Sequence, residues 1–112
     1  MATEWSDDIA IADLADEPAL SDELASLIDR VQSAASSSPH VVLNMAGVGY
    51  VNSSNIAQLL QLRTVLANHG RRLRICSISE EVRSVLGVTG LDRLFEISPD
   101  PFTALAGLQL ED

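Results

Sequence analysis

Four small polar residues, Asn52, Ser53, Ser54 and Asn55, stand in a row between an apolar segment and a helical pattern. Asparagine and serine are preferred at the start of a helix because their side chains accept hydrogen bonds from its first N–H groups. A serine hydroxyl in this place is also exposed, and a phosphate on it would lie at the positive end of the helix dipole. The residues alone predict either a helix cap or a phosphorylation site, and they do not choose between the two.

Catalysis by the histidines or the single cysteine is not favoured by the pattern. His40 follows a proline, His69 stands at a predicted helix end and Cys76 lies in a predicted strand, so structural roles are favoured for all three. The residue types would allow a catalytic triad of Ser54, His69 and Asp92. However, no serine lies in the G-x-S-x-G motif that surrounds the nucleophile of α/β-hydrolases. Two histidines and one cysteine in separate segments predict no metal site. We expect no enzyme activity, no metal and no cofactor.

Composition and charge restrict the organisation of the chain and its class of partner. The 112 residues, 46% of them hydrophobic, suit a single domain over residues 1–112 with a core at about 9–108. The net charge of −9 argues against binding to nucleic acid. Nine of the sixteen acidic residues fall within residues 1–29, either as a solvated edge or as an acidic face for a basic partner.

Targeting signals are not evident in the sequence. The chain opens on Met-Ala-Thr-Glu-Trp, which has neither the positive start nor the apolar centre of a signal peptide. Polar residues interrupt the uncharged stretch between Arg30 and Arg63 throughout, and a membrane span needs about 18 consecutive apolar residues. We expect a cytoplasmic protein that does not insert into a membrane.

Strand and helix patterns alternate along the chain and predict an α/β fold with a mostly parallel sheet and about four helices. Strands are expected at 9–12, 41–46, 73–78 and 94–97, and the strand at 41–46 is apolar enough to be buried on both faces. Helices are expected at 21–35 with Ser21 as the cap, from 52–55 to His69-Gly70, from Ser79 to 87–90, and from Asp100-Pro101 to Leu108.

Helical spacing on the second helix predicts which of its faces packs on the sheet. At about 100° per residue, five apolar residues share that face: Ile56, Leu59, Leu60, Leu66 and Ala67. Leu62 then lies at the margin of the face and Val65 nearly opposite its centre. Isolated exposed apolar residues are common, but these two lie on the helix that begins beside Ser54. They are either unremarkable surface residues or an extension of a partner interface along the helix.

Four segments, in this order, resemble one known family: 41–48, 50–56, 70–75 and 88–95. Segment 41–48 resembles the apolar central strand, with its terminal glycine, of the STAS family (sulfate transporter and anti-sigma factor antagonist domains). Segment 50–56 resembles the Asp-Ser-Ser-Gly loop of that family, and segment 88–95 is similar to its Thr-Gly-Leu segment. The resemblance runs from about Ile9 to Leu108 and implies a single STAS-like domain.

Family members of this size are typically anti-sigma factor antagonists in partner-switching signalling, and the resemblance implies that role in transcription regulation here. It implies binding to a serine kinase anti-sigma factor, weakened by phosphorylation and restored by a phosphatase. The phosphoacceptor matches Ser54, with Ser53 as the alternative. With Leu62 and Val65, which come from the helical spacing and not from the resemblance, the partner-binding surface would consist of six residues: Asn52, Ser53, Ser54, Asn55, Leu62 and Val65. The alternative is a phosphorylation-independent STAS scaffold, or a subunit of a larger signalling or transport assembly.

The chain departs from the family pattern in three places. The aspartate and the glycine of the loop are Asn52 and Asn55 here. If these asparagines are what blunt the site, the double change Asn52→Asp, Asn55→Gly is expected to raise phosphorylation. We expect both to be surface residues near a helix start, so each change should alter stability by about 1 kcal/mol or less. The segment before the first helix is also short, which predicts one opening strand in place of the usual pair.

Overall fold

Five strands and four α-helices make up the part of the chain that the computed structural model describes, residues 3–5 and 8–110. The strands are β1 (Thr3–Trp5), β2 (Ile9–Ala15), β3 (His40–Gly47), β4 (Leu73–Cys76) and β5 (Glu96–Ser98). The helices are α1 (Ala19–Ala34), α2 (Ser53–Asn68), α3 (Glu80–Val88) and α4 (Pro101–Leu110), with short 3-10 turns at 35–37 and 91–93. No helix in these described ranges is long and apolar enough to cross a membrane.

The strands form one sheet in the order β1-β2-β3-β4-β5. Strands β2 to β5 are parallel, which confirms the predicted α/β class with a mostly parallel sheet. The expectation of a single opening strand is wrong, because β1 pairs antiparallel with β2, with Thr3 opposite Ala12 and Trp5 opposite Ala10. Three residues are too few to show an alternating pattern, so this strand leaves no signal in the sequence.

The central strand β3 is covered on both faces, as its apolar run predicts. Val41, Leu43 and Met45 point into the main core with the buried residues of α1, α2 and α3. Val42 points to the other face, into a smaller cluster with Cys76 and two residues of α4. Side chains alternate across a strand, so helices on both faces are needed to bury such a run.

The buried face of α2 is rotated from the predicted one. Its buried residues are Asn55, Leu59, Leu62 and Leu66, and their centre lies about 75° around the helix from the predicted centre, at 100° per residue. Leu62 is fully buried in the core and Val65 is half-buried against it, so their expected place on an exposed surface is wrong. The reason is that α2 packs on α1 as well as on the sheet.

The first helix begins earlier than predicted and with a different cap. α1 starts at Ala19, and Pro18 at its N-cap position makes no side-chain capping bond. Ser21 lies inside the first turn, where its N–H donates to Glu17 Oε1 at 2.6 Å and its hydroxyl donates to Glu17 Oε2. The prediction of Ser21 as the cap is wrong, because the carboxylate of Glu17 accepts the N–H that a cap residue would otherwise bind.

Other predicted helix boundaries are confirmed by their hydrogen bonds. The Ser79 hydroxyl accepts from the N–H of Val82 at 3.2 Å, and Asp100 Oδ1 accepts from the N–H of Thr103 at 2.7 Å. Gly70, just beyond α2, has a φ of 71°. Glycine adopts this left-handed conformation without a steric penalty, which explains its use after a helix.

Two predicted strands differ at their ends. The strand expected at 73–78 ends at Cys76, because Ser77 has a φ of 58° and leaves the extended conformation. The strand expected at 94–97 is displaced to Glu96–Ser98. Phe95 is instead held in the preceding turn, where its N–H donates to the carbonyl of Leu91 at 3.3 Å.

Candidate functional site

The candidate site begins with a close approach between β2 and β3. A Cβ at Gly47 would lie 2.7 Å from the carbonyl oxygen of Leu14, so only glycine fits without a shift of the backbone. The pairing register between the two strands shifts between Asp13 and Ala15, beside this point. The chain can therefore leave β3 close against the end of β2.

The segment that follows, residues 48–52, is the β3–α2 loop, and several contacts hold it in place. Val48 and Val51 are buried, and the N–H of Gly49 donates to Asp16 Oδ1 at 2.8 Å. The hydroxyl of Ser79 lies 3.5 Å from the carbonyl oxygen of Gly49. Between the two buried valines, Tyr50 is 63% exposed. The loop thus presents one aromatic side chain to solvent from a backbone anchored on both sides.

The first turn of α2 is fixed by a capping box formed by two asparagines. Asn52 Oδ1 accepts from the N–H of Asn55 at 2.9 Å, and Asn55 Oδ1 accepts from the N–H of Asn52 at 3.0 Å. These reciprocal bonds satisfy backbone donors that a helix start leaves without partners. The helix cap, one of the two predictions for this segment, is confirmed.

Asn55 also connects the starts of the first two helices. Its side-chain nitrogen lies 3.3 Å from Glu17 Oε2 and 3.4 Å from Ser21 Oγ, and the residue is fully buried. Gln58 adds a bond from its Nε2 to the carbonyl oxygen of Ser21 at 2.9 Å. The expectation that Asn55 is a surface residue is therefore wrong, because its side chain is used within the fold and offers no exposed surface to a partner.

Glu17 keeps a negative charge beside this first turn. Hydrogen bonds from the side chain and then the backbone of Ser21 lower the pKa of its carboxyl below the ordinary value, and the Asn55 amide adds to the effect. From the sequence, Glu17 was only one of many acidic residues. The spacing of four residues between Glu17 and Ser21, one helical turn, was the feature of the sequence that could have indicated their hydrogen bond.

Ser53 and Ser54 are the exposed residues of the first turn. In the described part of the chain their hydroxyls make no hydrogen bond, so both are open to solvent. They follow the N-cap directly, at the end of the helix that favours negative charge. Either hydroxyl can accept a phosphoryl group, and exposure does not distinguish the two.

The six residues predicted to bind a partner do not form one surface. Ser53 and Ser54 are exposed and Asn52 is half-buried, whereas Asn55 and Leu62 are fully buried. Val65, half-buried against the core, lies about three turns along α2 from the loop. The accessible surface consists of the first turn of α2 and the β3–α2 loop, and Tyr50 is the exposed residue that the sequence did not reveal.

The serine–histidine–aspartate triad drawn from the sequence does not form. Ser54 and His69 lie at opposite ends of α2, about 22 Å apart at 1.5 Å per residue. His40 is buried, and its Nδ1 accepts from the N–H of Arg72 at 3.0 Å. Cys76 is fully buried, and burial raises the pKa of its thiol. Residues 3–5 and 8–110 contain no cluster of three or more metal-ligating side chains.

Comparison with known proteins identifies the family. The family model of the STAS domain matches residues 12–104. A candidate anti-sigma factor antagonist from Thermotoga maritima superposes with a TM-score of 0.82 at 17% identity, over 96% of this chain and 93% of that one. An anti-sigma-factor antagonist (STAS) domain protein from Planctomyces limnophilus gives 0.78 at 17%, over 96% and 97%.

SpoIIAA, a Bacillus cell fate determinant, is similar in its phosphorylated form, with a TM-score of 0.72 at 15% identity, over 96% of this chain and 97% of that one. At such identities the solved structures show a shared fold, and they confirm the α/β architecture. The family follows from the model match over most of the chain. The protein belongs to the STAS domain family.

Proposed function

We propose that the protein is an anti-sigma factor antagonist that acts in the cytoplasm, binds a serine kinase anti-sigma factor through the β3–α2 loop, and is released when Ser54 is phosphorylated. The observation that carries the proposal is the exposed Ser54 hydroxyl on a first turn held by the Asn52–Asn55 capping box. Support comes from family membership and from the likeness to SpoIIAA.

The physical basis for a switch is the charge that a phosphate adds. A phosphoserine carries about −1.5 to −2 charges at neutral pH. At the start of α2 the helix dipole favours this charge within the free protein. In a complex, the same charge would be buried in a desolvated interface beside the ionised carboxylate of Glu17, and the loss of its hydration there costs free energy. Phosphorylation therefore weakens the complex without unfolding the domain.

The asparagines that replace the family's aspartate and glycine are compatible with this proposal. Asn52 and Asn55 close the capping box, so they position the backbone beneath the serines and do not cover the Ser54 hydroxyl. The same observation favours the second candidate, a phosphorylation-independent STAS scaffold, because capping alone accounts for both asparagines.

Protein recovered from its native cells tests the proposal. Mass spectrometry of the purified chain is expected to find phosphate on Ser54, and Ser54→Ala is expected to abolish it while Ser53→Ala, the matched control in the same turn, leaves it. Capture with the unphosphorylated protein is expected to recover a serine kinase. Stoichiometric phosphate on another residue contradicts the site, and the absence of phosphate together with capture of transport subunits favours the scaffold.

A further inference from the structure

A groove lies between the β3–α2 loop and the start of α3, away from the serines of the proposed switch. It has a volume of about 400 Å³ and is lined by Tyr50, Glu80, Glu81, Ser84 and Val85. One wall is the exposed tyrosine of the loop, and the other is the first two turns of α3. The contact between the Ser79 hydroxyl and the carbonyl oxygen of Gly49 joins the two walls.

The tyrosine wall is held in its exposed position. Tyr50 is 63% exposed, although Val48 and Val51 on either side are almost fully buried. The N–H of Gly49 is bonded to Asp16, so the backbone on which the ring stands is fixed. An aromatic side chain displayed from an anchored loop offers a π face at a low entropic cost of binding.

The α3 wall is acidic. Glu80 and Glu81 are both exposed, and neither forms an ion pair with an arginine of the described chain, Arg83 of the same helix included. The helix dipole stabilises acidic residues in the first turn of a helix. This accounts for glutamates at the start of α3, but it does not account for the groove between them and Tyr50. Val85, one turn further, is half-buried and adds an apolar floor.

We propose that this groove binds a basic segment of a protein partner, with an arginine side chain lying between Tyr50 and α3. A guanidinium stacks on an aromatic face and pairs with carboxylates, while its aliphatic stem covers apolar surface. Tyr50, the Glu80–Glu81 pair and Val85 supply all three contacts. The biological role of this groove rests on the proposed function, since the groove adjoins the β3–α2 loop and extends the same interface.

NMR titration with a defined peptide tests the groove without the natural partner. The probe is an N-acetylated, C-amidated Leu-Arg-Leu-Arg-Leu peptide added to the isotopically labelled protein, and the control peptide carries glutamate in place of arginine. We expect shifts confined to the amides of Tyr50 and residues 80–85 with the arginine peptide and none with the glutamate peptide. Shifts spread over the acidic surface of α1 overturn the proposal.

Matched variants separate the groove from general attraction to an acidic protein. Glu80→Gln with Glu81→Gln, and separately Tyr50→Ala, are each expected to weaken peptide binding by roughly five-fold or more. Asp22→Asn with Asp29→Asn removes two charges from α1 and is expected to leave binding within about two-fold. Equal weakening by the two double variants overturns the proposal, and melting temperatures verify that each variant is folded.

The peptide test is independent of the phosphorylation switch. The titration uses unphosphorylated protein and a peptide without phosphate, and neither Ser53 nor Ser54 lines the groove. If the peptide binds but Ser54 carries no phosphate in native cells, the groove proposal stands and the phosphorylation switch is refuted. If Ser54 carries phosphate but the peptide does not bind, the switch proposal stands and the groove proposal is refuted.

Discussion

Replacement of Asn55 by glycine tests the most unexpected feature of the site. The change removes the Oδ1 atom that accepts from the N–H of Asn52, a capping bond of a kind that contributes about 1 kcal/mol. It also empties the volume of a fully buried side chain, which costs about 1 kcal/mol more. Glycine within a helix costs a further 0.5 to 1 kcal/mol, roughly. We expect the free energy of unfolding to fall by about 2 to 3 kcal/mol.

Urea denaturation followed by circular dichroism measures this loss. The matched control is Ser54→Gly, which places glycine one position earlier in the same turn at an exposed site. The control is expected to cost about 1 kcal/mol or less, with the same dependence on urea for both variants. If Asn55→Gly costs no more than Ser54→Gly, the buried network around Asn55 does not stabilise the fold and its assignment as a structural residue is refuted.

Three further predictions concern the elements that position the site. Leu62→Ala is expected to lower the free energy of unfolding by about 2 to 5 kcal/mol in urea denaturation, because Leu62 is fully buried. The control Gln61→Ala, at the exposed neighbouring position, is expected to change it by about 0.5 kcal/mol or less. A loss for Leu62→Ala as small as that of the control contradicts the burial of Leu62. Gly47→Ala is expected to cost about 1 to 3 kcal/mol in the same assay, since its Cβ would lie 2.7 Å from a carbonyl of β2, and an unchanged stability contradicts the close approach. Ser21→Ala removes the hydroxyl that donates to Glu17 but keeps the backbone N–H bond, and it is expected to raise the pKa of Glu17 towards its ordinary value in an NMR titration. The loss of stability that it causes is expected to disappear as the pH falls through the lowered pKa, because a carboxyl with a lowered pKa stabilises the fold only while ionised. An unmoved pKa contradicts the hydrogen bond from the Ser21 hydroxyl.

Much of the fold could be predicted because its signals are local. The continuous apolar run of β3 indicates a strand covered on both faces, and Ser79, Asp100 and Gly70 mark helix ends through interactions within a few residues. The pairing of β1 could not be predicted, since three residues carry no periodicity. The buried face of α2 was misplaced because periodicity within one helix does not reveal that a second helix covers part of it.

In the candidate site, too, the features with local signals could be predicted and those that depend on distant contacts could not. The helix cap and the exposure of Ser53 and Ser54 follow from residue types at a helix start. The burial of Asn55 does not, because its partner Glu17 lies 38 positions earlier and polar cap residues are usually exposed. Tyr50 was missed for a related reason: its exposure depends on the burial of the two valines around it, and that becomes visible only when the loop is folded against Asp16.

The most direct test of the proposed function is the affinity of the kinase recovered from native cells for two forms of the protein, one with phosphoserine incorporated at Ser54 during synthesis and one without. Isothermal titration calorimetry at fixed ionic strength gives both dissociation constants. A phosphate in the centre of the interface is expected to weaken binding at least ten-fold, about 1.4 kcal/mol. Phosphoserine at position 53 in place of Ser53 serves as the control. Equal affinity of the Ser54-phosphorylated and unmodified forms would contradict the switch.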